Sequence, residues 1–451
     1  MQEGGFVMSA SSEKQPATVP VAATQAGNVR DRWSWAAPAV WTERMLTALE
    51  QGVKGGIWFS LMDKVFSRRN LEAAAQRVVG NEGAAGVDHV TVAQFSDVLD
   101  TNLDRLHDEL RRDTYVPQAI RRQWIPKPGS TDQRPLGIPT VRDRVVQTAL
   151  RHVLEPIFEK DFATHSYGFR PQRGCKDALR RVQELLKAGY VHVVDADLKS
   201  YFDTIPQDRL MDLLRRKVAD SRVLTLVETF LKQGVLDGLS TWTPEEGTPQ
   251  GAVISPLLAN IYLDPLDHHM AERGYAMVRY ADDFVILCRS ADEAAQALAE
   301  VQAWVAQAGL QLHPSKTKLV HAEQEGFDFL GYHFHGSAKR WPRQKSRNKL
   351  YDNLRSKTRR KEGHSLSVII ADVNRTLVGW FGYFKHCLRH SLSTIDKWVR
   401  MRLRSLLRRR RGLRGRGRGD DHHRWPNAYF ATQGLFSLVT AHELACQSPC
   451  G

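Results

Sequence analysis

The chain has 451 residues, 42% hydrophobic and 9% aromatic, enough for a sizeable core and for two or three domains. Its 64 Lys and Arg against 50 Asp and Glu give a formal charge of +14. That excess is concentrated: residues 339–418 hold 25 Lys and Arg against Asp352, Glu362, Asp372 and Asp396, a charge of +21, which leaves −7 for the rest. An 80-residue segment so basic has the form of a polyanion-binding surface. No run of 18 apolar residues, no apolar leader and no CxxC among five scattered cysteines occurs. These features argue against a membrane span, a signal peptide, a disulfide framework and a zinc site, and for a reducing compartment that holds nucleic acid.

Residues 1–35 are rich in Ala, Ser, Thr, Gln and Pro without a period and read as a disordered leader. Trp41 to Leu71 is apolar at helical spacing, and the turn-rich run Gly80 to Asp88 separates it from a second helical stretch, Val90–Arg112. Trp124-Ile125-Pro126-Lys127-Pro128-Gly129 reads as a strand entering a turn, with the return strand at Leu136-Gly137-Ile138. Between Arg144 and Lys160 the residues Val145, Ala149, Val153, Ile157 and Val146, Leu150, Leu154, Phe158 fall on adjacent i+4 rows, which predicts an amphipathic helix. Lys176–Ala188 is a further helix, Val191–Asp197 a buried strand ending in carboxylates, and Gln207–Val235 helical.

Two apolar strand segments, Ala276–Tyr280 and Phe284–Leu287, then enclose Ala281-Asp282-Asp283. Ser290-Ala291-Asp292-Glu293 has the form of a capping box, and its helix runs to Gly309 as C-cap. Lys349–Arg411 is helical and basic, and Arg414–Gly419 alternates Arg and Gly and predicts a flexible run. Strands clustered between 120 and 335 and helices after them indicate an α+β body followed by an all-helical basic domain.

The acids at the strand ends carry the most chemistry. Asp197 ends one apolar strand, and Asp282 with Asp283 lies between two others, where carboxylates are costly unless something cationic satisfies them. Hard oxygen ligands suit Mg²⁺, and two such ions would clamp the attacking and leaving oxygens of a phosphoryl transfer. Asp195, two residues before Asp197 on the same strand face, is an equal candidate by spacing.

Tyr280-Ala281-Asp282-Asp283 resembles the YxDD signature of reverse transcriptases, and Asp197-Leu198-Lys199-Ser200-Tyr201-Phe202-Asp203 resembles their first catalytic motif. Between them, Gly247-Thr248-Pro249-Gln250-Gly251 with Ser255-Pro256-Leu257 resembles the motif lining the nucleotide pocket. Ile125-Pro126-Lys127-Pro128, Arg134 to Thr140, Asp143 to Gln147, Ser166 to Pro171 and Phe329-Leu330-Gly331-Tyr332 narrow the resemblance to group II intron-encoded proteins. So do the loop Asn81–Asp88, the run Gly379-Trp380-Phe381-Gly382-Tyr383-Phe384 with Asp396-Lys397-Trp398, and Trp425 to Phe430 with Gly434-Leu435.

That resemblance implies a right-hand polymerase: a leader (1–35), an N-terminal extension (36–95), fingers and palm with an antiparallel sheet (96–335), an α-helical thumb/maturase domain (336–411) and a short basic DNA-binding remnant (412–451). It implies copying of an RNA template from a DNA primer with dNTP substrates and two Mg²⁺ ions, and binding of group II intron RNA and target DNA. No membrane partner is expected, and a homodimer is compatible with the sequence.

The resemblance assigns catalysis and metal binding to Asp197, Asp282 and Asp283, with the Leu198 carbonyl as a further metal ligand. Lys316 matches a lysine that protonates the leaving pyrophosphate, with Lys318 competing for that place. Lys127 and Arg134 match the residues that grip the triphosphate, with Arg121 or Arg122 assisting; Phe202 matches the ring under the incoming sugar that selects deoxynucleotides. Gln250 and Gly251 match residues at the nucleotide, while Asp203 reads as a turn or cap residue.

In the basic segment, Trp380, Tyr383, Phe384, Trp398 and Val399 supply a small core, leaving Arg400, Arg402, Arg404, Arg408, Arg409, Arg410 and Arg411 to face phosphate. His422-His423 reads as an exposed loop. Cys446-x-x-x-Cys450 stands without partners, so no HNH endonuclease is expected. Two competing readings are a splicing cofactor without polymerase activity and a reverse transcriptase domesticated for defence or repair. The acids together with Gln250 and Phe202 argue against the first.

Overall fold

The structure, a computed structural model, describes residues 28–126, 133–337, 339–359 and 363–447. Residues 1–27 of the expected leader, Lys127 with the turn Pro128-Gly129, and Cys450 lie outside the described residues. The strands are β1 (Ile120–Pro126), β2 (Gln133–Ile138), β3 (His192–Asp197), β4 (Val235–Asp237), β5 (Ser240–Trp242), β6 (Ala276–Tyr280), β7 (Asp283–Cys288), β8 (Lys318–His321), β9 (Phe327–Phe329), β10 (Tyr332–His335) and β11 (Lys339–Pro342). They join in the orders β2-β1-β4-β5, β6-β7-β3-β8 and β11-β10-β9. All pairs are antiparallel except β1 with β4, so the first sheet is mixed rather than purely antiparallel.

Period-two alternation along β3 and β7 divides the interior in two. Val194, Ala196, Phe284, Ile286 and Cys288 belong to one apolar cluster, which the Ser255–Glu272 and Ala291–Gln307 helices share. Val193, Val285 and Leu287 belong to a second cluster with the Cys175–Lys187 helix, the β9–β11 sheet and the basic helices. Those helices, Gln344–Lys357, Leu366–Phe384 and Arg389–Arg410, meet through Leu350, Leu354, Ile369, Val373, Leu377, Leu392, Ile395, Val399 and Leu403 at helical spacing. The architecture is thus the expected α+β body with a helical basic region. No helix among the described residues is long and apolar enough to cross a membrane.

Several local expectations are corrected. Residues 28–35 are not a loose leader: a short helix, Val29–Arg32, forms there, and Arg32 and Trp33 both bond Glu50. The stretch Trp41 to Leu71 is broken into Glu43–Gln51, Met62–Phe66 and the start of Arg68–Gly80, because Gly52, Gly55 and Gly56 take left-handed φ between the first two. The Gln207–Val235 stretch becomes the helices Gln207–Arg215 and Ser221–Leu231, with Asp220 capping the second.

The predicted amphipathic helix, Val141–Glu159, is buried on every side rather than on one. Its second face is covered by the N-terminal segment: Trp41 Nε1 donates to the His152 carbonyl at 2.9 Å, and Asn70 Nδ2 to the Ala149 carbonyl at 3.0 Å. Only half of the expected capping box forms. Ser290 Oγ accepts the Glu293 N–H, but the Glu293 carboxylate takes the N–H of Arg289. The Arg/Gly run is held, not loose, since Arg408 donates to the Arg414 carbonyl and Gly417 N–H to Ser405 Oγ. His422 and His423 are exposed but sit in a short helix, Asp420–Arg424.

Candidate active site

The register of β3 against β7 sets Asp197 directly opposite Asp283, and Asp282 lies in the turn from β6 to β7. Asp195 shares the Asp197 face, so four carboxylates gather at one end of the sheet. Like charges in cross-strand contact repel. Burial pushes the Asp283 carboxyl up to about 7, with Asp195, Asp282 and Asp197 adding to the effect. Burial also raises Asp195, to about 6, against the attraction of Lys318, and raises Asp282, with Asp197 reinforcing the shift.

Two lysines answer this charge. Lys316 Nζ lies 2.6 Å from Asp197 Oδ2 and Lys318 Nζ 3.7 Å from Asp195 Oδ2. The two lysines that compete in the sequence thus stand on different acids, Lys316 on Asp197 and Lys318 on Asp195. The bridge between Leu198 and Leu312 uses the Asp197 carbonyl and the Lys199 N–H, not the Leu198 carbonyl.

The turn that carries Asp282 is held from beneath. Ala281 adopts φ 60°, in the left-handed region. Its carbonyl accepts from Arg279 Nη1 at 2.9 Å, and the same guanidinium bonds Asn260 Oδ1 and pairs with Asp267 at 2.5 Å, all buried. Asn260 Nδ2 in turn donates to the Gly168 carbonyl at 2.8 Å. Gly168 presses so closely on the turn that a Cβ there would stand 2.3 Å from Ala281 N. Arg170 fixes the loop below, bonding Glu159 and the carbonyls of Ala163 and Ser166. Sequence reasoning gives these residues no role. The signal available was Arg279 itself, a lone cation inside an apolar strand.

A cleft of about 690 Å³ is lined by Phe202 and Asp203, which follow β3 in the short helix Tyr201–Thr204, and by Gln250, Arg122, Gly137 and Gly247 among others. Phe202 follows Ser200, whose φ is 49°, and its ring meets those of Tyr201 and Phe169 at centroid distances of 5.6 and 6.4 Å. Arg134 Nε donates to Gln250 Oε1 at 3.1 Å, and Gln250 Nε2 donates to Asp203 Oδ2 at 2.9 Å. Asp203 is therefore part of the cleft, beyond the cap role read from the sequence. Burial raises its carboxyl, while Gln250, Arg122 and Arg134 pull the other way. The close approach that Gly251 permits is to β2: at φ 103°, a Cβ would lie 2.2 Å from the Gly137 carbonyl. Of the two candidate arginines, Arg122 lines the cleft and Arg121 is turned away to the Ala85 carbonyl.

The arginines of the basic region divide. Arg404 does not face phosphate: it is buried, and donates to the Trp425 carbonyl and Asn427 Oδ1 because these close the end of the helical core. Arg402 bonds Thr358, Arg408 pairs with Asp421 at 2.6 Å, and Arg410 donates to the His364 carbonyl. Arg409, Arg410 and Arg411 are exposed and Arg400 is half-buried.

Among the described residues no three His, Cys, Asp or Glu side chains close into a metal cluster. The donor set nevertheless fits a hard divalent cation held by two carboxylates, a backbone carbonyl, water and substrate phosphate. Burial, reinforced by repulsion between the acids, raises Asp282 and Asp283, and a bound cation would offset both.

Residues 125–334 match the reverse transcriptase (RNA-dependent DNA polymerase) family, and residues 347–425 match the group II intron, maturase-specific domain. Protein YkfC of Escherichia coli is 35% identical over 62% of this chain and 86% of its own length. Group II intron-encoded protein LtrA of Lactococcus lactis subsp. cremoris is 40% identical over 43% of this chain, an alignment that spans 32% of LtrA. Among solved structures, telomerase from Candida albicans with a telomeric RNA fragment matches at 11% identity over 70% of this chain and 64% of that one, with a TM-score of 0.40.

Proposed function

This chain belongs to the group II intron type of reverse transcriptase and maturase, and we propose that it copies RNA into DNA at the Asp197, Asp282 and Asp283 cluster and holds intron RNA through its basic helices. Reverse transcriptases work with divalent metal; here two Mg²⁺ ions would be held by Asp197, Asp282, Asp283 and the Leu198 carbonyl. Bound there, the ions supply neutralisation of the attacking and leaving oxygens of an in-line transfer.

The chain's own residues do the rest. Arg134, with Lys127, grips the triphosphate, and Phe202 sits under the sugar, where its ring excludes a 2′-hydroxyl. Gln250 meets the nucleotide at the cleft floor. Lys316 holds a proton at Nζ beside Asp197 and is the acid for the leaving pyrophosphate. Arg400, Arg409, Arg410 and Arg411 contact RNA backbone, a shape-directed and salt-sensitive grip.

The observation that carries this reading is the register that sets Asp197 against Asp283, one residue from Asp282, with the cleft residue Phe202 five positions after Asp197. Primer extension on poly(rA)/oligo(dT) with Mg²⁺ and dTTP tests it. Incorporation by the wild type and its loss in Asp197→Asn and Asp282→Asn are expected, and a wild type that adds no nucleotide would defeat the proposal. Splicing of a flanking intron RNA, measured beside it, reads the maturase role separately.

A further inference from the structure

The hydrogen-bond chain Arg134–Gln250–Asp203 joins three separate parts of the fold at the cleft, which Gln250 and Asp203 line. Arg134 is on β2, Gln250 is in the loop before the Ser255–Glu272 helix, and Asp203 is in the short helix Tyr201–Thr204 that follows β3. A guanidinium can only donate, and an ionised carboxylate can only accept. With Arg134 at 3.1 Å from Oε1 and Asp203 at 2.9 Å from Nε2, the Gln250 carboxamide has a single orientation that satisfies both partners.

Asp203 is itself held firmly. Its N–H donates to the Ser200 carbonyl at 2.8 Å, and Gly247 packs so tightly that a Cβ there would lie 2.8 Å from the Asp203 carbonyl carbon and its Cα. The Gln250 backbone is fixed too, its carbonyl accepting the Gly137 N–H at 2.6 Å. The freedom left in the chain is rotation of the amide and the reach of Arg134.

We propose that Asp203 is a positioning residue for nucleotide capture: by fixing the Gln250 amide it holds Arg134 over the cleft, where an incoming nucleoside triphosphate takes it over. The inference rests on the polymerase reading above. Without an acceptor at 203 the amide is free to turn, and its NH₂ group then confronts the guanidinium, donor against donor. Arg134 loses its resting place, and nucleotide capture weakens while the metal-binding acids stay where they are.

Steady-state single-nucleotide incorporation on a defined primer–template, with melting of each variant in parallel, tests this. Asp203→Ala raises KM for the dNTP about tenfold, the factor carried by one hydrogen bond to a charged group, with the loss much smaller in kcat. Asp203→Asn, which still offers Oδ1 to the amide, recovers most of that loss. In a Gln250→Ala background, Asp203→Ala changes KM less than about twofold, because the two residues act as one unit.

An unchanged KM in Asp203→Ala would overturn the proposal. So would parallel losses of kcat and melting temperature, which mark a structural role, or a defect that multiplies independently in the Gln250→Ala background. An inactive wild type is a different failure, seen in the wild-type reaction alone, and removes the polymerase reading first.

Discussion

Gly168→Ala puts the buttress beneath the Asp282 turn to a direct test. The φ of Gly168 lies outside the left-handed range, so alanine brings no backbone strain and the perturbation is one methyl group. That methyl would stand 2.3 Å from Ala281 N, 2.9 Å from the Tyr280 carbonyl carbon and 3.1 Å from Ala281 Cα. Ordinary contact begins at 3.4 Å, and every obstructing atom is backbone, so no side chain can swing aside. The turn must therefore shift by about 1 Å, and such a displacement of a reacting group is enough to cost about 100-fold in rate. Overpacking of this kind costs about 1–3 kcal/mol of stability. Extension at saturating dNTP should fall by about two orders of magnitude while the protein remains folded in a melting experiment at the assay temperature. If Gly168→Ala keeps activity within threefold of wild type, the turn is not positioned by this contact.

Arg279→Met should destabilise the protein by about 3–5 kcal/mol in urea unfolding, since it leaves Asp267 buried without its partner, whereas Arg279→Met with Asp267→Leu should recover much of the loss; equal losses would refute the pairing. Burial lowers His152 to about 4, so the native state binds fewer protons than the unfolded state between there and its ordinary value near 6.5. Stability from this group is present above the ordinary value and is lost as pH falls through that window. The total is about 3 kcal/mol, and His152→Gln should flatten the pH dependence of unfolding between pH 6.5 and 4. Arg404→Ala should lower the melting temperature without altering the salt slope of RNA binding. Arg409→Ala with Arg411→Ala should weaken binding and reduce that slope by about one per lost phosphate contact; the reverse pattern in filter binding would contradict the division of arginines.

What could be read from the sequence was what short-range pattern encodes. The apolar runs of β3, β6 and β7 place Asp197, Asp282 and Asp283 at strand ends, and their near-continuous apolar character suits burial on both faces. The i+4 rows of Val141–Glu159 announce a helix but not that a distant segment would cover its polar face; Asn70 and His152 are 82 residues apart. Arginine reads as surface by default, so Arg279, Arg170 and Arg404 are legible only once their partners are in place. Asp203 reads as a turn residue because its role depends on Gln250, 47 positions later. Close packing such as Gly168 against Ala281 leaves no mark in composition or period.

The N-terminal segment has a practical consequence for anyone cutting this protein down. Trp58 exchanges backbone hydrogen bonds with Lys217 and Ala219, and Asp220 accepts the N–H groups of Leu61 and Met62 at 2.6 and 2.9 Å. Ala36, Trp41, Leu46, Leu61, Val65 and Leu71 belong to the same apolar cluster as β3 and β7. A shortened version starting near residue 96 would carry every acid and every cation of the cleft, yet it would expose the buried wall of the Val141–Glu159 helix to water. A shortened chain should therefore retain Asn28 onward rather than start at the edge of the family match.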